Sequence, residues 1–342
     1  MTQPAAPVIA VLGAGSWGTA LGILLSRNGA EVRLWGHLKE EVEPLQADRE
    51  NRRYLPGIPL PDNLHPLLDL ARAVEGANEI LVVVPSHAFH QVLEAIKPLI
   101  PADMPLSWAT KGLEPKTGRF LHQVAAEVLG ERPFAVISGP TFAKEVAAGL
   151  PTALTVASLS EEYARRMAGY LNSDCFIAYT SNDLVGVQLG GCAKNVLAIA
   201  AGISDGLGFG ANSRAALITR GLAEIMRLGR ALGARPETFM GLAGLGDLIL
   251  TCTDDQSRNR RLGLALARGL SIEQARKEIG QEVEGVGAAQ EVYQKAREAG
   301  VEMPITRQVY RILYEGRDTR EAVQALLERR VRVEAEYAGM EG

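Results

Sequence analysis

One lysine stands in the middle of an apolar stretch that runs from Asp183 to Ile203. Taking an ammonium out of water carries a large desolvation cost, so a buried lysine loses its proton more readily than a solvated one. An amine tuned in that way can exchange a proton near neutral pH. Lys194 is that residue, and Asn195 beside it offers an amide to a substrate or to the lysine itself. Gly186, Gly190 and Gly191 strip side chains from the same segment, so a ligand or a neighbouring chain can come close. The ordinary alternative is a lysine snorkelling out from a helix end, which its central position disfavours. Further on, Gly241-Leu242-Ala243-Gly244-Leu245-Gly246-Asp247 closes a glycine-rich run on a carboxylate. Asp247 either orients Lys194 or caps a helix, where Asp is a preferred residue. The run from Asp254 to Arg261 then opens a helical pattern with Ser257, Arg258 and Asn259 at its head. Donors at a helix N-terminus suit a phosphate. Three arginines there oppose the helix dipole, a cost that a bound anion relieves. A capped and solvated first turn is the plainer reading.

A second kind of chemistry is written near the start. Gly13-Ala14-Gly15-Ser16-Trp17-Gly18 follows the apolar run Val8–Leu12 and precedes a helical pattern from Thr19 to Arg27. Gly13 permits a tight turn, Gly15 lets backbone approach a pyrophosphate, and Gly18 allows helix and strand to pack closely, with the helix N-terminus favouring the negative charge. The pattern in that setting points to a dinucleotide. Such loops usually pair with an acid at the tip of the second strand, which holds the ribose hydroxyls. Here the tip reads Trp35-Gly36-His37, and Arg33, His37 and Lys39 make the neighbourhood basic. That tolerates a 2′-phosphate, so the expectation is NADPH over NADH, with NADH still open.

The elements that would position these groups alternate in the first half. Val8–Leu12, Glu31–Trp35, Ile80–Val84, Leu106–Thr110 and Phe134–Ser138 are apolar runs separated by helical patterns, and Ala153–Ala157 and Phe176–Tyr179 extend the series. Strands alternating with helices imply a parallel sheet covered on both faces, with ligands beyond the carboxyl ends of its strands. Lys111, Gly139 and Thr141 follow such ends, and so do His87 and His90, which fit an ordinary polar helix start. After about residue 182 only helical spacing remains: Arg214–Leu232, Arg261–Arg268, Gly287–Glu298 and Glu321–Glu336. The expected fold class is an α/β Rossmann-type parallel sheet domain followed by an all-α domain, divided as residues 1–182 and 183–342.

The 342 residues suit two domains. A net charge of −4 gives no bulk attraction for nucleic acid or an anionic membrane. Gln188, Lys194 and Asn195 count against reading Leu184–Ile203 as a membrane span. Cys175, Cys192 and Cys252 lie far apart, without metal-ligand spacing and odd in number, which suggests reduced thiols in a cytosolic protein and no metal site. Met1–Pro7 has no signal-peptide pattern and reads as a flexible lead-in, and Ala338–Gly342 reads as frayed.

Taken together, GAGSWGTAL, LVVVPSH, WATKGLE, VISGPTFAKE, GVQLGGCAKNVLAIAAG, GLGFGANSRAALITRGLAE, MGLAGLGDLILTCT, SRNRR and VEG resemble the NAD(P)-dependent glycerol-3-phosphate dehydrogenases of the bacterial type, in order, from about residue 8 to residue 330. The resemblance implies reversible reduction of dihydroxyacetone phosphate to sn-glycerol 3-phosphate, feeding phospholipid synthesis, usually in a cytoplasmic homodimer. It implies that Lys194 transfers the proton. Substrate contacts then fall on Lys111, Gly139, Thr141, Lys194, Asp247, Ser257, Arg258 and Asn259. Cofactor contacts fall on Ser16, Trp17, His37, Lys111, Ala143, Arg258, Val283 and Glu284, with Tyr54 on the adenosine side. Around Val283 and Glu284 only the VEG core matches. The rival readings are another β-hydroxyacid-type dehydrogenase of the same plan, which the arginine cluster disfavours, and a non-catalytic NADPH-binding regulator, which would have no use for Lys194.

Overall fold

The computed structural model describes residues 6–327. Eight strands form one sheet: β1 (Val8–Leu12), β2 (Glu31–Trp35), β3 (Leu64–Leu67), β4 (Glu79–Val82), β5 (Leu106–Trp108), β6 (Phe134–Ser138), β7 (Thr152–Ala157) and β8 (Phe176–Ser181). Their order is β3-β2-β1-β4-β5-β6-β7-β8. The first six follow the doubly wound dinucleotide order, which reverses direction next to β1. The loop Gly13–Gly18 leaves β1 at that switch point. Helices on both faces explain why β4, β5 and β6 are buried along their whole length.

Two features depart from the sequence reading. The run Leu64-His65-Pro66-Leu67 is a strand, although a proline and the lack of β-branched residues hide it. It pairs in register with β2, from Val32 opposite Leu64 to Trp35 opposite Leu67. The sheet is also not wholly parallel, since β7 runs antiparallel to β6 while β8 is again parallel to β7.

The chain divides into two compact units. The first holds residues 6–110 and Leu121–Leu184, and the second holds Lys111–Phe120 with residues 185–327. The excursion Lys111–Phe120, which the expected boundary at residue 182 omits, carries Leu113 and Phe120 into the second unit's core. Beyond Leu184 the described residues are helical, beginning with the helix Leu184–Gly206. That helix is long and apolar enough to cross a membrane, but 94% of its most apolar window is buried within the protein. Its hydropathy is that of a core helix. The expected helix Glu321–Glu336 begins at Thr319 and is described to Leu327, the rest lying outside the described residues, as do Met1–Ala5 and Ala338–Gly342.

Candidate active site

In the second unit the helix Leu184–Gly206 presents Lys194, which is 7% exposed. Gly190, one turn earlier, lets another segment touch this helix: a Cβ at Gly190 would lie 2.4 Å from the Ala243 carbonyl oxygen. That segment, Leu242–Gly246, winds as a π-helical turn and delivers Asp247 as the first residue of the helix Asp247–Thr253. Asp247 therefore does not cap a helix. Its carboxylate, 1% exposed, takes the Lys194 ammonium on Oδ1 and the Lys111 ammonium on Oδ2, the latter at 2.7 Å. Thr251 completes the cluster. Its hydroxyl donates to the Asp247 backbone carbonyl at 2.6 Å and accepts from Lys194 Nζ at 3.1 Å, fixing the direction of the amine.

Burial is the largest influence on Lys194 and lowers its pKa to about 7, with Asp247 opposing the shift and Lys111 adding to it. The physical content is charge balance. One buried carboxylate serves two lysines, so both ammonium groups are drawn together in a site shielded from water. Such a site stabilises a developing oxyanion.

A second chain of hydrogen bonds fixes the neighbouring amides. The Gly285 backbone N–H can only donate, so the Asn259 side-chain atom 2.9 Å away must be its oxygen. The Asn259 NH₂ group then donates to Asn195 Oδ1 at 2.9 Å. That leaves the Asn195 NH₂ group as a donor. Ser257 caps the helix Arg258–Ala267, accepting from the Arg260 N–H at 3.2 Å. Of the arginines at this N-terminus, Arg260 is neutralised by Asp205 and by Asp255 at 2.8 Å, whereas Arg258 has no carboxylate partner among the described residues. The dipole cost inferred for three arginines is thus partly met within the protein. Glu284 sits at the N-cap of the helix Gly285–Glu298. Val283 is 1% exposed and packs in the hydrophobic core.

In the first unit, Gly13 adopts φ +127°, and a Cβ on Gly18 would lie 1.8 Å from the Gly13 carbonyl oxygen. Nothing lies within 4 Å of a Cβ at Gly15. The helix Ser16–Arg27 starts without a side-chain cap, which leaves its first N–H groups for an anion. The indole N–H of Trp17 is buried and unpartnered. These features fit a dinucleotide pyrophosphate. Asn51 braces the loop, donating to the Ala14 carbonyl at 3.0 Å and to the Thr19 hydroxyl at 2.8 Å. His37 is exposed just past β2. Arg33 does not join it, because its guanidinium is spent on the carbonyls of Arg72 and Glu75, and Lys39 pairs with Glu43 at 3.4 Å. Tyr54 donates to Glu41 at 2.6 Å. Ala143 opens the helix Ala143–Ala148, and the Thr141 hydroxyl donates to the Gly139 carbonyl at 3.2 Å. Gly139 runs against β7, where a Cβ would lie 2.8 Å from Leu154 Cα.

Comparison with known proteins decides the family. The profile of the NAD-dependent glycerol-3-phosphate dehydrogenase N-terminus matches residues 8–164, and that of the C-terminus matches residues 183–324. The chain belongs to the NAD-dependent glycerol-3-phosphate dehydrogenase family. It is 58% identical over 332 residues to the glycerol-3-phosphate dehydrogenase [NAD(P)+] of Pseudoalteromonas translucida, covering 96% of this chain and 99% of that one. The crystal structure of glycerol-3-phosphate dehydrogenase from Coxiella burnetii is similar with TM-score 0.93 and 52% identity, covering 95% of this chain and 100% of that one. A yeast glycerol-3-phosphate dehydrogenase structure is similar with TM-score 0.81 and 26% identity, covering 95% and 100%. The fold extends further: a ketopantoate reductase from Ralstonia eutropha, at 17% identity, aligns with TM-score 0.58.

For this family member the sequence reading omitted Thr251 and Asn51. Thr251 is hidden in Leu248-Ile249-Leu250-Thr251, where a hydroxyl looks like any helical threonine. Its one sequence signal is the spacing of four from Asp247, which puts the two on one helix face.

Proposed function

We propose that this chain reduces dihydroxyacetone phosphate to sn-glycerol 3-phosphate, reversibly, with NADPH and also with NADH. The observation that carries the reading is a buried carboxylate shared by two lysines, one of them with its pKa lowered to about 7. A dinucleotide bound at the glycine loop supplies the hydride. Gly13, Gly15 and Gly18 give room to its pyrophosphate, and the free N–H groups of Ser16 and Trp17 bind it. His37 and Tyr54 serve its adenosine end, and Ala143, Lys111, Arg258, Val283 and Glu284 serve the rest. An exposed histidine in place of an acid supports acceptance of a 2′-phosphate.

Lys194, as the ammonium, gives its proton to the alkoxide that forms from the ketone oxygen, and as the amine it takes the proton back in the reverse direction. Lys111 and the Asn195 NH₂ group stabilise the oxyanion charge while it develops. Asp247 keeps both lysines in place, and Thr251 aims Lys194. Arg258 holds the substrate phosphate with Ser257, and Asn259 both joins them and orients Asn195. Gly139 and Thr141 line the substrate's path. Fixing the remote phosphate orients the reacting carbon, which is why a phosphorylated ketone suits this set better than a simple hydroxyacid. The test is NADPH consumption with dihydroxyacetone phosphate, with an unphosphorylated 2-ketoacid, and with no ketone. The reading expects turnover with the first alone, and turnover with the ketoacid alone would sink it.

The product would supply the glycerol phosphate backbone of phospholipids, and the enzyme would work in the cytoplasm as a homodimer. The free thiols Cys175, Cys192 and Cys252 agree with a reducing compartment. Light scattering of the purified protein tests the dimer.

A further inference from the structure

We infer that Glu291 is a positioning residue, holding the Lys111–Phe120 excursion on the second unit so that the Lys111 ammonium stays on Asp247. The inference rests on the proposed role of Lys111. Glu291 lies on the helix Gly285–Glu298, 7% exposed, and its Oε2 accepts the Leu113 backbone N–H at 3.2 Å. Leu113 is itself fully buried. One turn further along the helix, the Lys295 ammonium lies 5.9 Å from the centroid of the Phe120 ring. Gly118, at φ +63°, passes between these points: a Cβ there would lie 3.7 Å from Lys295 Cε and 3.9 Å from the Glu291 carbonyl oxygen. The excursion therefore rests on this helix at Leu113, Gly118 and Phe120, and at its other end reaches Asp247 through Lys111, 2.7 Å away.

The choice of residue is informative. Burying a carboxyl costs far more than burying an alkyl chain of similar size, so simple space filling would favour leucine or methionine. Among the described residues the titratable groups that act with Glu291 are Glu284 on its own helix, Cys192 on the core helix and Tyr314 on the helix Pro304–Tyr314, while the Lys295 ammonium one turn on lies over the Phe120 ring. What the carboxyl does supply is an acceptor for an N–H that would otherwise be buried without a partner. Leu113 is only two residues from Lys111, about 7 Å of extended chain at most, so slack at Leu113 reaches the lysine. The same helix steers the site from its N-terminus, where the Gly285 N–H orients Asn259 and, through it, Asn195.

The experiment compares Lys111→Ala, Glu291→Ala, Glu291→Gln and the double variant Lys111→Ala/Glu291→Ala in the full-length enzyme. Readouts are kcat with dihydroxyacetone phosphate, the NADPH Kd and the melting temperature. Misplacing a catalytic group by about 1 Å costs on the order of 100-fold, so Glu291→Ala is expected to lower kcat about 10- to 100-fold and leave the Kd within about threefold. Glu291→Gln, whose amide oxygen accepts the same N–H, is expected to recover kcat to within about threefold of wild type. In the Lys111→Ala background, where nothing is left to position, Glu291→Ala is expected to cost less than about twofold, the non-additivity of two residues acting through one contact. Should Glu291→Ala fail to fold, Glu291→Met takes its place, keeping the volume without the acceptor. An unchanged kcat in Glu291→Ala, a glutamine variant no better than alanine, or penalties that multiply in the double variant would overturn the inference. If Lys111→Ala itself turned over normally, the role of Lys111 would fall first, a failure separate from the others.

Discussion

Replacing Asp247 by asparagine keeps the shape of the site and removes the carboxylate charge shared by Lys194 and Lys111. The sign of the effect follows from the three influences on Lys194. Burial and Lys111 both favour the neutral amine, and Asp247 alone favours the ammonium. Without it the pKa must fall below its wild-type position near 7. A neighbouring opposite charge typically moves a pKa by about 1 to 3 units. At pH 7 the ammonium fraction would then drop from about one half to between about one tenth and one thousandth. Reduction of the ketone needs the ammonium, so kcat/KM for dihydroxyacetone phosphate at pH 7 should fall about 5- to 500-fold. The lost activity should partly return as the pH is lowered, because the descending limb moves to more acidic pH. Oxidation of glycerol 3-phosphate needs the amine, and its ascending limb should shift in the same direction. The assay is the pH profile of kcat/KM in both directions, followed by NADPH absorbance, with circular dichroism to verify folding. If Asp247→Asn lowers activity equally at every pH, then Asp247 does not tune Lys194 and the electrostatic argument fails.

Arg258→Ala should raise KM for dihydroxyacetone phosphate about 10- to 100-fold, the equivalent of about 1.5–3 kcal/mol for a charged hydrogen bond, with kcat changed much less; steady-state kinetics decide it. Gly18→Ala places a methyl group 1.8 Å from the Gly13 carbonyl oxygen, so the loop must deform, and fluorescence titration should show NADPH binding weakened at least tenfold while the helical unit's hydrogen-exchange protection holds. Burial raises the pKa of Glu79 from 4.5 to about 7, despite opposing help from Tyr163 and Arg166. The folded state then binds this proton more tightly than the unfolded chain, so the Glu79 contribution to stability is fully present below about 4.5 and is lost as the pH rises to about 7. The difference corresponds to roughly 3 kcal/mol, and Glu79→Gln should flatten that part of a denaturation-versus-pH curve; an unchanged slope would show that Glu79 ionises normally.

The parts of this site that could be read from the sequence are those where a residue contradicts its surroundings. Lys194 stands out because a cation interrupts an apolar helix, and Gly13–Gly18 stands out because strand, glycines and helix follow one another. The parts that could not be read depend on who meets whom. Arg33 looks like a cofactor-side cation until its guanidinium is seen spent on the end of the helix Leu70–Val74. Strand β3 is set by its register with β2, against the propensity of its own residues. The excursion Lys111–Phe120 has no composition that separates it from its flanks, yet its leucine and phenylalanine complete the core of the other unit. Asn51 and Thr251 reach the site through partners more than thirty residues away in sequence, the Ala14 carbonyl and Lys194.

The central claim is that Lys194 moves the proton. Positioned acids and bases contribute about 10²- to 10⁴-fold, and the proposed role gives Lys194 no part in holding the dinucleotide. Single-turnover oxidation of bound NADPH by dihydroxyacetone phosphate in Lys194→Ala should therefore slow by about 10²- to 10⁴-fold, while the NADPH Kd stays within about threefold of wild type. A single-turnover rate close to wild type, in a variant that folds and binds NADPH, would contradict the account.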